Sequence, residues 1–155
     1  MTVGSDELRA LWVIGHRVTP IPVGGRIAAL EIVTPPNVPG PPPHHHEDAA
    51  EFFFVTAGQL GVMAGDIWTS LGPGGYATVP QGVVHSFRNE GTDEVRFITG
   101  YEPQGFERFF LEFGVDASEP GAFETSVNEQ MIGRVVEGCA RFGMILAPEV
   151  QPAVL

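Results

Sequence analysis

The residues best suited to chemistry are histidines and acids that crowd into two short stretches. The first, GPPPHHHEDAAEFFF, holds three histidines in a row (44–46) and then Glu51. The second, GGYATVPQGVVHSFRN, holds His85. Imidazole nitrogens and carboxylate oxygens suit divalent first-row metals, whereas a histidine run on a loop is often only solvated. The two stretches therefore have three possible interpretations: a metal site, a charged loop, or a histidine tract without a function.

Strand geometry sorts the histidine run. Side chains alternate between two faces of an extended chain, so His44 and His46 share one face and His45 takes the other. Glu51 lies an odd number of residues from His46 and would face away from it on one straight strand. The short polar segment 47–50 predicts a turn that returns Glu51 to the side of the two histidines.

The elements around these residues are predicted to be mainly β. Glycine (20) and proline (14) separate short runs rich in Val, Ile, Phe and Thr, such as GRIAALEIVT, EFFFVTAG, VVHSFRN and VRFITGYEP. Many short strands bounded by turn residues are typical of a sandwich or barrel with antiparallel strands. No pattern long enough for a helix precedes about residue 103.

Two short helices are predicted in the C-terminal third. Phenylalanines recur at helical spacing in QGFERFFLEFG, which predicts a helix that ends at Gly114. SVNE fits a capping box, with Ser126 as N-cap and Glu129 three residues later. The apolar stripe behind this cap consists of Met131, Ile132, Val135, Val136, Cys139 and Phe142. We expect the second helix to cover the barrel through this stripe.

The length of 155 residues fits a single domain over 1–155. We assign its core barrel to about residues 10–102 and its helical segment to about 103–147, followed by a loose tail after Pro148. A hydrophobic share of 43% supplies a core, and a charged share of 17% is too low for a disordered chain.

Charge narrows the function classes. The formal net charge is -11, and all 8 basic residues are arginines. This balance argues against nucleic acid or an anionic membrane as a partner, because both require basic patches. The lack of lysine excludes a Schiff-base or P-loop lysine. A lone cysteine, Cys139, and no membrane-length apolar stretch favour a cytoplasmic protein.

Both stretches resemble the sequence motifs of the cupin superfamily. The first motif matches at His44, His46, Glu51 and Gly58. The second matches at Gly74, Pro80, Gly82, His85 and Asn89. One departure is Val38, where the broad first motif has glycine. Gly40 and the three prolines instead resemble the quercetin-dioxygenase-like branch of small single-domain cupins.

The resemblance implies a cupin-type antiparallel barrel or jelly roll with one divalent metal inside, held by His44, His46, Glu51 and His85. Iron, manganese, nickel or cobalt would suit these ligands, and no organic cofactor is implied. An octahedral ion would keep two positions open, as catalytic sites do. We expect His45, Glu47 and Asp48 to belong to a solvated loop, and His16 to be an ordinary strand residue.

Parity with the candidate ligands predicts a substrate pocket. Its predicted lining consists of Phe53, Val55, Val62, Val83, Phe87 and Phe97, with Ala64 and Thr99 as further inward positions. A mostly apolar lining favours an uncharged hydrophobic or aromatic substrate. The same side chains are also what a small barrel needs to fill its interior.

Three functions remain open. By resemblance to quercetin dioxygenases, the chain would be an oxygenase that uses dioxygen to cleave a flavonol-like or polyketide-like substrate, with Glu51 as ligand and catalytic base. The same site would serve a non-redox cyclase or isomerase of natural-product biosynthesis. A cupin that binds a small molecule without turnover is the third hypothesis. We also expect a homodimer that pairs through the segment LWVIGHRVTPIPV, residues 11–23.

Overall fold

The computed structural model describes residues 2–148, and the tail predicted after Pro148 lies outside them. Twelve strands in the described residues form two antiparallel sheets. The strands are β1 (Leu11–Val13), β2 (His16–Ile21), β3 (Ala28–Thr34), β4 (His44–His46), β5 (Ala50–Ala57), β6 (Leu60–Ala64), β7 (Ile67–Leu71), β8 (Tyr76–Val79), β9 (His85–Asn89), β10 (Val95–Glu102), β11 (Val115–Asp116) and β12 (Met144–Leu146). The mainly β prediction is confirmed.

The two sheets share one buried core. The larger sheet has the order β11-β1-β2-β3-β10-β5-β8, and the smaller sheet has the order β12-β4-β9-β6-β7. Leu30, Phe53 and Phe97 of the larger sheet are fully buried in one cluster with Leu60 and Val62 of the smaller sheet. The late strands β11 and β12 occupy an edge of each sheet, so the C-terminal segment is hydrogen-bonded to both layers.

Strand β5 shows how alternation positions the interior. Glu51, Phe53 and Val55 are buried, whereas Phe54 between them is 43% exposed. Phe53 therefore points inward, as its parity with Glu51 predicted. A fully buried phenylalanine contributes roughly 1.5–3 kcal/mol of transfer free energy, which fixes the register of the strand against a one-residue slip.

The helices are α1 (Glu107–Phe113), α2 (Ala122–Ser126) and α3 (Glu129–Gly138). Helix α1 ends before Gly114, as predicted. No helix in residues 2–148 is long and apolar enough to cross a membrane.

The predicted cap of α3 is wrong. The N-cap is Asn128, whose side-chain oxygen accepts a hydrogen bond from the backbone nitrogen of Met131 at 2.8 Å. Ser126 is instead the buried last residue of α2, where its hydroxyl donates to the carbonyl of Phe123 and accepts from the backbone nitrogen of Gly15. Because Ser126 belongs to α2 and its hydroxyl is directed at Phe123 and Gly15, Asn128 caps α3 instead.

A tight hairpin joins β1 to β2 and sets the position of His16. Ile14 and Gly15 form its two-residue loop, and both have positive φ, 48° and 82°. Two successive positive values are typical of a type I′ turn, whose twist suits a hairpin. Val13 then pairs directly with His16. Since Gly15 is also bonded to Ser126, the turn is attached to α2 as well as to the sheet.

Candidate metal centre

Four side chains from both sheets meet inside the barrel. His44 and His46 lie on β4, and His85 lies on the neighbouring β9, directly opposite His44. Glu51 comes from β5 of the larger sheet. All four residues are buried, and their candidate ligand atoms lie within 4.8 Å of one another. The turn predicted between the histidine run and Glu51 is present and brings the carboxylate back to this point.

Backbone carbonyls orient two of the imidazole rings. Nδ1 of His44 lies 2.8 Å from the carbonyl oxygen of Pro42, and Nδ1 of His85 lies 2.9 Å from that of Val83. A carbonyl oxygen can only accept, so each Nδ1 carries a proton and donates it. The Nε2 lone pair of each neutral ring is then the one available to a metal ion.

The two oxygens of Glu51 have separate partners. Oε2 lies 3.0 Å from Nε2 of His46 and 2.7 Å from Nε2 of His85. Oε1 accepts hydrogen bonds from the hydroxyls of Thr99 at 2.7 Å and Tyr101 at 3.0 Å. One oxygen is therefore held by the sheet, and the other faces the histidines.

Burial and the neighbouring charges shift the pKa values of four groups in and beside the cluster. Burial opposes the ionisation of Glu51, but hydrogen bonds from His46 and His85 hold its pKa below the ordinary value. Burial and the neighbouring His85 lower the pKa of His44 to about 4. Burial alone would lower the pKa of His85, yet its hydrogen bond to Glu51 raises it. Burial and the charge of Glu51 raise the pKa of Tyr101 well above its ordinary value, so its hydroxyl stays protonated.

The geometry fits a bound cation. With Nδ1 protonated against Val83, a neutral His85 directs a lone pair at Oε2 of Glu51, and the two acceptors repel unless a cation lies between them or the ring is charged. Nδ1 of His46 is the one buried side-chain nitrogen or oxygen in the described part of the chain without a hydrogen-bond partner. Three imidazoles and a carboxylate suit a divalent first-row ion, which would also offset the cost of burying the glutamate.

The nearby polar residues stay outside this cluster. His45 is half-buried and pairs with Ile145 of β12, and the side chains of Glu47 and Asp48 are exposed. Along β4, His44 and His46 are buried and His45 between them is less buried. This alternation agrees with the prediction that His44 and His46, but not His45, face the metal.

Three of the four cluster residues, His44, Glu51 and His85, line a cavity of about 180 Å³. The rest of the wall is mostly apolar and comes from both sheets and from the C-terminal helices. Its apolar side chains include Val18, Ile32, Phe87, Phe106, Phe109 and Phe110. Ile132 and Val136 also line the cavity but remain 43% and 55% exposed, so its mouth lies beside α3. The apolar stripe of α3 therefore lines the cavity as well as covering the barrel.

The predicted pocket coincides with this cavity at one residue, Phe87. The other five predicted residues do not line it. Phe53, Val55, Val62 and Phe97 are buried in the core, and Val83 packs against that core. Parity gives the face of a strand but not the depth along the barrel, and these side chains fill the interior away from the cavity.

Several cavity residues were missed by the sequence reasoning. Tyr101 shares its side of β10 with Thr99 and Phe97, so the alternation that placed those two inward also marks Tyr101. His16 lies on the same face of β2 as Val18 and is buried in the cavity wall. The sequence alone predicts only an ordinary strand residue at this position. The aromatic face of α1 gave a helical signal but no sign that Phe106 would lie 4.3 Å from the ring of His46.

Comparison with known proteins extends these observations. Residues 30–101 match the family model described as the cupin domain. No curated protein matches the sequence.

Solved structures share the fold at low sequence identity. An RmlC-like cupin from Shewanella frigidimarina has 16% identity and a TM-score of 0.59, covering 66% of this chain and 89% of that chain. A sugar phosphate isomerase of the cupin superfamily from Silicibacter pomeroyi has 20% identity and a TM-score of 0.53, covering 59% and 61%. The nucleoside dehydratase Pac13 has 12% identity and a TM-score of 0.56, covering 66% and 82%. Residues 30–101 of this chain therefore match a cupin domain, and the chain shares the fold of these solved structures.

Proposed function

We propose that this chain is a metal-dependent oxygenase that acts on small apolar molecules bearing an enol or phenol oxygen. The observation that carries the proposal is the buried cluster of three histidines and Glu51, three of whose members line a mostly apolar cavity. The resemblance of GPPPHHH to the quercetin-dioxygenase-like branch supports oxygen chemistry over other metal-dependent reactions.

His44, His46, His85 and Glu51 would hold the ion. Bound iron, manganese, nickel or cobalt would supply Lewis acidity and bring the substrate oxygen next to dioxygen. The backbone carbonyls behind His44 and His85 fix both rings before any ligand arrives. Such pre-orientation would let Nε2 of both rings bind an ion without reorganisation of the side chains.

Glu51 would take the hydroxyl proton of the substrate at Oε2. Its other oxygen already accepts two hydrogen bonds, from Thr99 and Tyr101, and has no lone pair to spare. A carboxylate removes a proton more readily from an acidic hydroxyl, so an enol or a phenol would suit Glu51 better than an aliphatic alcohol.

The cavity wall selects an uncharged substrate. Among the described residues, no arginine lines the cavity, so a phosphate or carboxylate group placed away from the metal cluster would lack a counter-charge. Phe87 and Phe106 line the cavity, and aromatic side chains suit a flat apolar molecule. Their bulk also excludes water from the reacting oxygen.

A non-redox cyclase or isomerase is the second candidate. The contact between Tyr101 and Glu51 favours it, because a hydroxyl and a carboxylate in contact can move protons without any oxidant. The isomerase and the dehydratase among the structural neighbours show that the fold accommodates enzymes of this kind.

One set of incubations separates these functions. Protein purified without added ions is analysed for metal, then reloaded with iron, manganese, nickel or cobalt and incubated with a flavonol and with a single-ring enol. Metal-dependent oxygen consumption with cleaved product supports the oxygenase. Metal-dependent conversion that persists without oxygen supports the cyclase or isomerase and rejects the oxygenase. Binding without turnover under all conditions rejects both in favour of a binding protein.

A further inference from the structure

We propose that His16 is a second polar binding point of the cavity, which forms a hydrogen bond with an oxygen of the substrate remote from the metal cluster. The inference rests on the proposed function for the metal end and defines the substrate class more closely. The substrate is a small apolar molecule with two oxygen substituents, one directed at the cluster and the other at His16.

His16 is built into the cavity wall. It is 7% exposed, lines the cavity and begins β2 directly after the hairpin turn of Ile14 and Gly15. Its ring lies 5.3 Å from that of Phe87, with an interplanar angle of 65°. Because the turn is bonded to both the sheet and Ser126, the imidazole is held by rigid neighbours on either side.

His16 stands apart from the metal cluster. Phe87 lies two residues beyond His85 on the same face of β9, a step of roughly 7 Å along a strand. The ring of His16 packs against Phe87, and His16 is not among the four residues whose ligand atoms converge. It therefore contacts a different part of a bound molecule from the part that faces the ion.

The ring retains hydrogen-bonding capacity toward the cavity. Its Nδ1 is bonded to the hydroxyl of Thr34 at 2.8 Å, and Thr34 is fully buried. Burial lowers the pKa of His16 to about 4, and a hydrogen bond with the backbone carbonyl of Pro39 acts in the opposite direction. At neutral pH the ring is therefore uncharged, and Nε2 is the nitrogen that is not bonded to Thr34.

The cavity size sets the length of the substrate. A volume of about 180 Å³ lies below the range of roughly 300–1,000 Å³ that is common for drug-sized ligands. A single ring therefore fits better than the three rings of a flavonol. With its first oxygen toward the cluster and its apolar body against Phe87, such a molecule presents its far substituent to His16.

Two probes of matched shape test this assignment. 4-(Hydroxymethyl)phenol carries a hydroxyl where 4-ethylphenol carries a methyl group, and the phenol oxygen is common to both. Calorimetry would give the dissociation constants of both probes for the Zn²⁺-loaded wild type, His16→Leu and His16→Gln. The ratio of the two constants cancels effects that a substitution has on both ligands alike.

We expect His16→Leu to shift this ratio against the alcohol by roughly five- to tenfold, because the alcohol loses a hydrogen-bond partner in an apolar wall. His16→Gln, which retains polar atoms, is expected to stay closer to wild type. An equal ratio in wild type and His16→Leu would overturn the proposal, as would no detectable binding of the alcohol to the wild type.

A spectroscopic measurement needs no variant. In protein with ¹⁵N-labelled histidine, the alcohol is expected to shift the Nε2 resonance of His16 while 4-ethylphenol leaves it in place, and identical shifts with both probes would count against the assignment. Removing the metal with a chelator tests the other end. If chelation changes neither affinity, the proposed metal-centred function fails, while the comparison of the two probes at His16 stands on its own.

Discussion

The hydroxyl of Tyr101 donates a hydrogen bond to Oε1 of Glu51 over 3.0 Å, and the two residues are direct partners across β10 and β5. The register of the larger sheet therefore positions the carboxylate. Thr99, two residues earlier on β10, bonds the same oxygen. A candidate metal ligand is thus held by a sheet that contributes none of the three histidines.

Replacing Tyr101 by phenylalanine tests this support. We expect Tyr101→Phe to weaken metal binding on the order of 10–100-fold, because Glu51 loses one of the two donors that fix its orientation. Competition with a chromophoric chelator measures the dissociation constant. Tyr76→Phe is the matched control, since Tyr76 is 71% exposed and away from the site. Equal affinities in the two variants would show that the tyrosine hydroxyl does not support the metal.

The histidine run offers its own control for ligand identity. His44→Gln is expected to lose bound metal, because it removes one of the converging nitrogens. His45→Gln, on the other side of β4, is expected to retain it. Metal per protomer, determined by elemental analysis after dialysis, distinguishes the two. Loss of metal in both variants would mean that the run acts as a unit rather than by alternation.

Gly40 is expected to tolerate no side chain. A Cβ at this position would overlap the backbone carbonyl of Phe87, so Gly40→Ala must displace either the proline-rich segment or β9. We expect a loss of roughly 1–3 kcal/mol in the free energy of unfolding. Gly133→Ala is the control, because its Cβ meets nothing within 4 Å on α3 and should stabilise the helix by up to about 1 kcal/mol. Urea unfolding measures both, and a neutral Gly40→Ala would contradict the geometry.

The buried His16 makes stability depend on pH. Its pKa is about 4 in the folded chain against an ordinary 6.5, so the unfolded chain takes up the proton first as pH falls. The contribution of His16 is complete above pH 6.5, declines between 6.5 and about 4, and amounts to about 3 kcal/mol. In metal-free protein, His16→Gln should therefore show a shallower decline over this range. Parallel urea midpoints for the two proteins from pH 8 to pH 4 would contradict this.

The sequence predicted the local features of the molecule better than the long-range ones. His44, His46 and Glu51 converge as strand alternation and a nearby turn predicted, and the distant His85 joins them as the resemblance implied. The end of α1 at Gly114 is equally local.

The residues that line the cavity come from elements far apart in the sequence, and sequence patterns do not show which of these elements meet. For this reason the sequence did not predict most of the cavity lining. Phe97 and Phe53 had the right parity but lie where the barrel is filled. Phe106 reaches His46 because α1 folds back over the barrel, which no periodicity reveals. The predicted homodimer and cytoplasmic location depend on surfaces and surroundings beyond one chain, and they stay predictions.

The distribution of the candidate ligands over two sheets has a consequence for the lifetime of the folded state. A metal ion held by His44, His46 and His85 on one sheet and Glu51 on the other would cross-link the two sheets. All four ligands come together only after both sheets have assembled, so the metal would bind only chains that have completed their folding. A bound metal would oppose the separation of the two sheets, and the metal-loaded protein should therefore unfold more slowly than the metal-free protein.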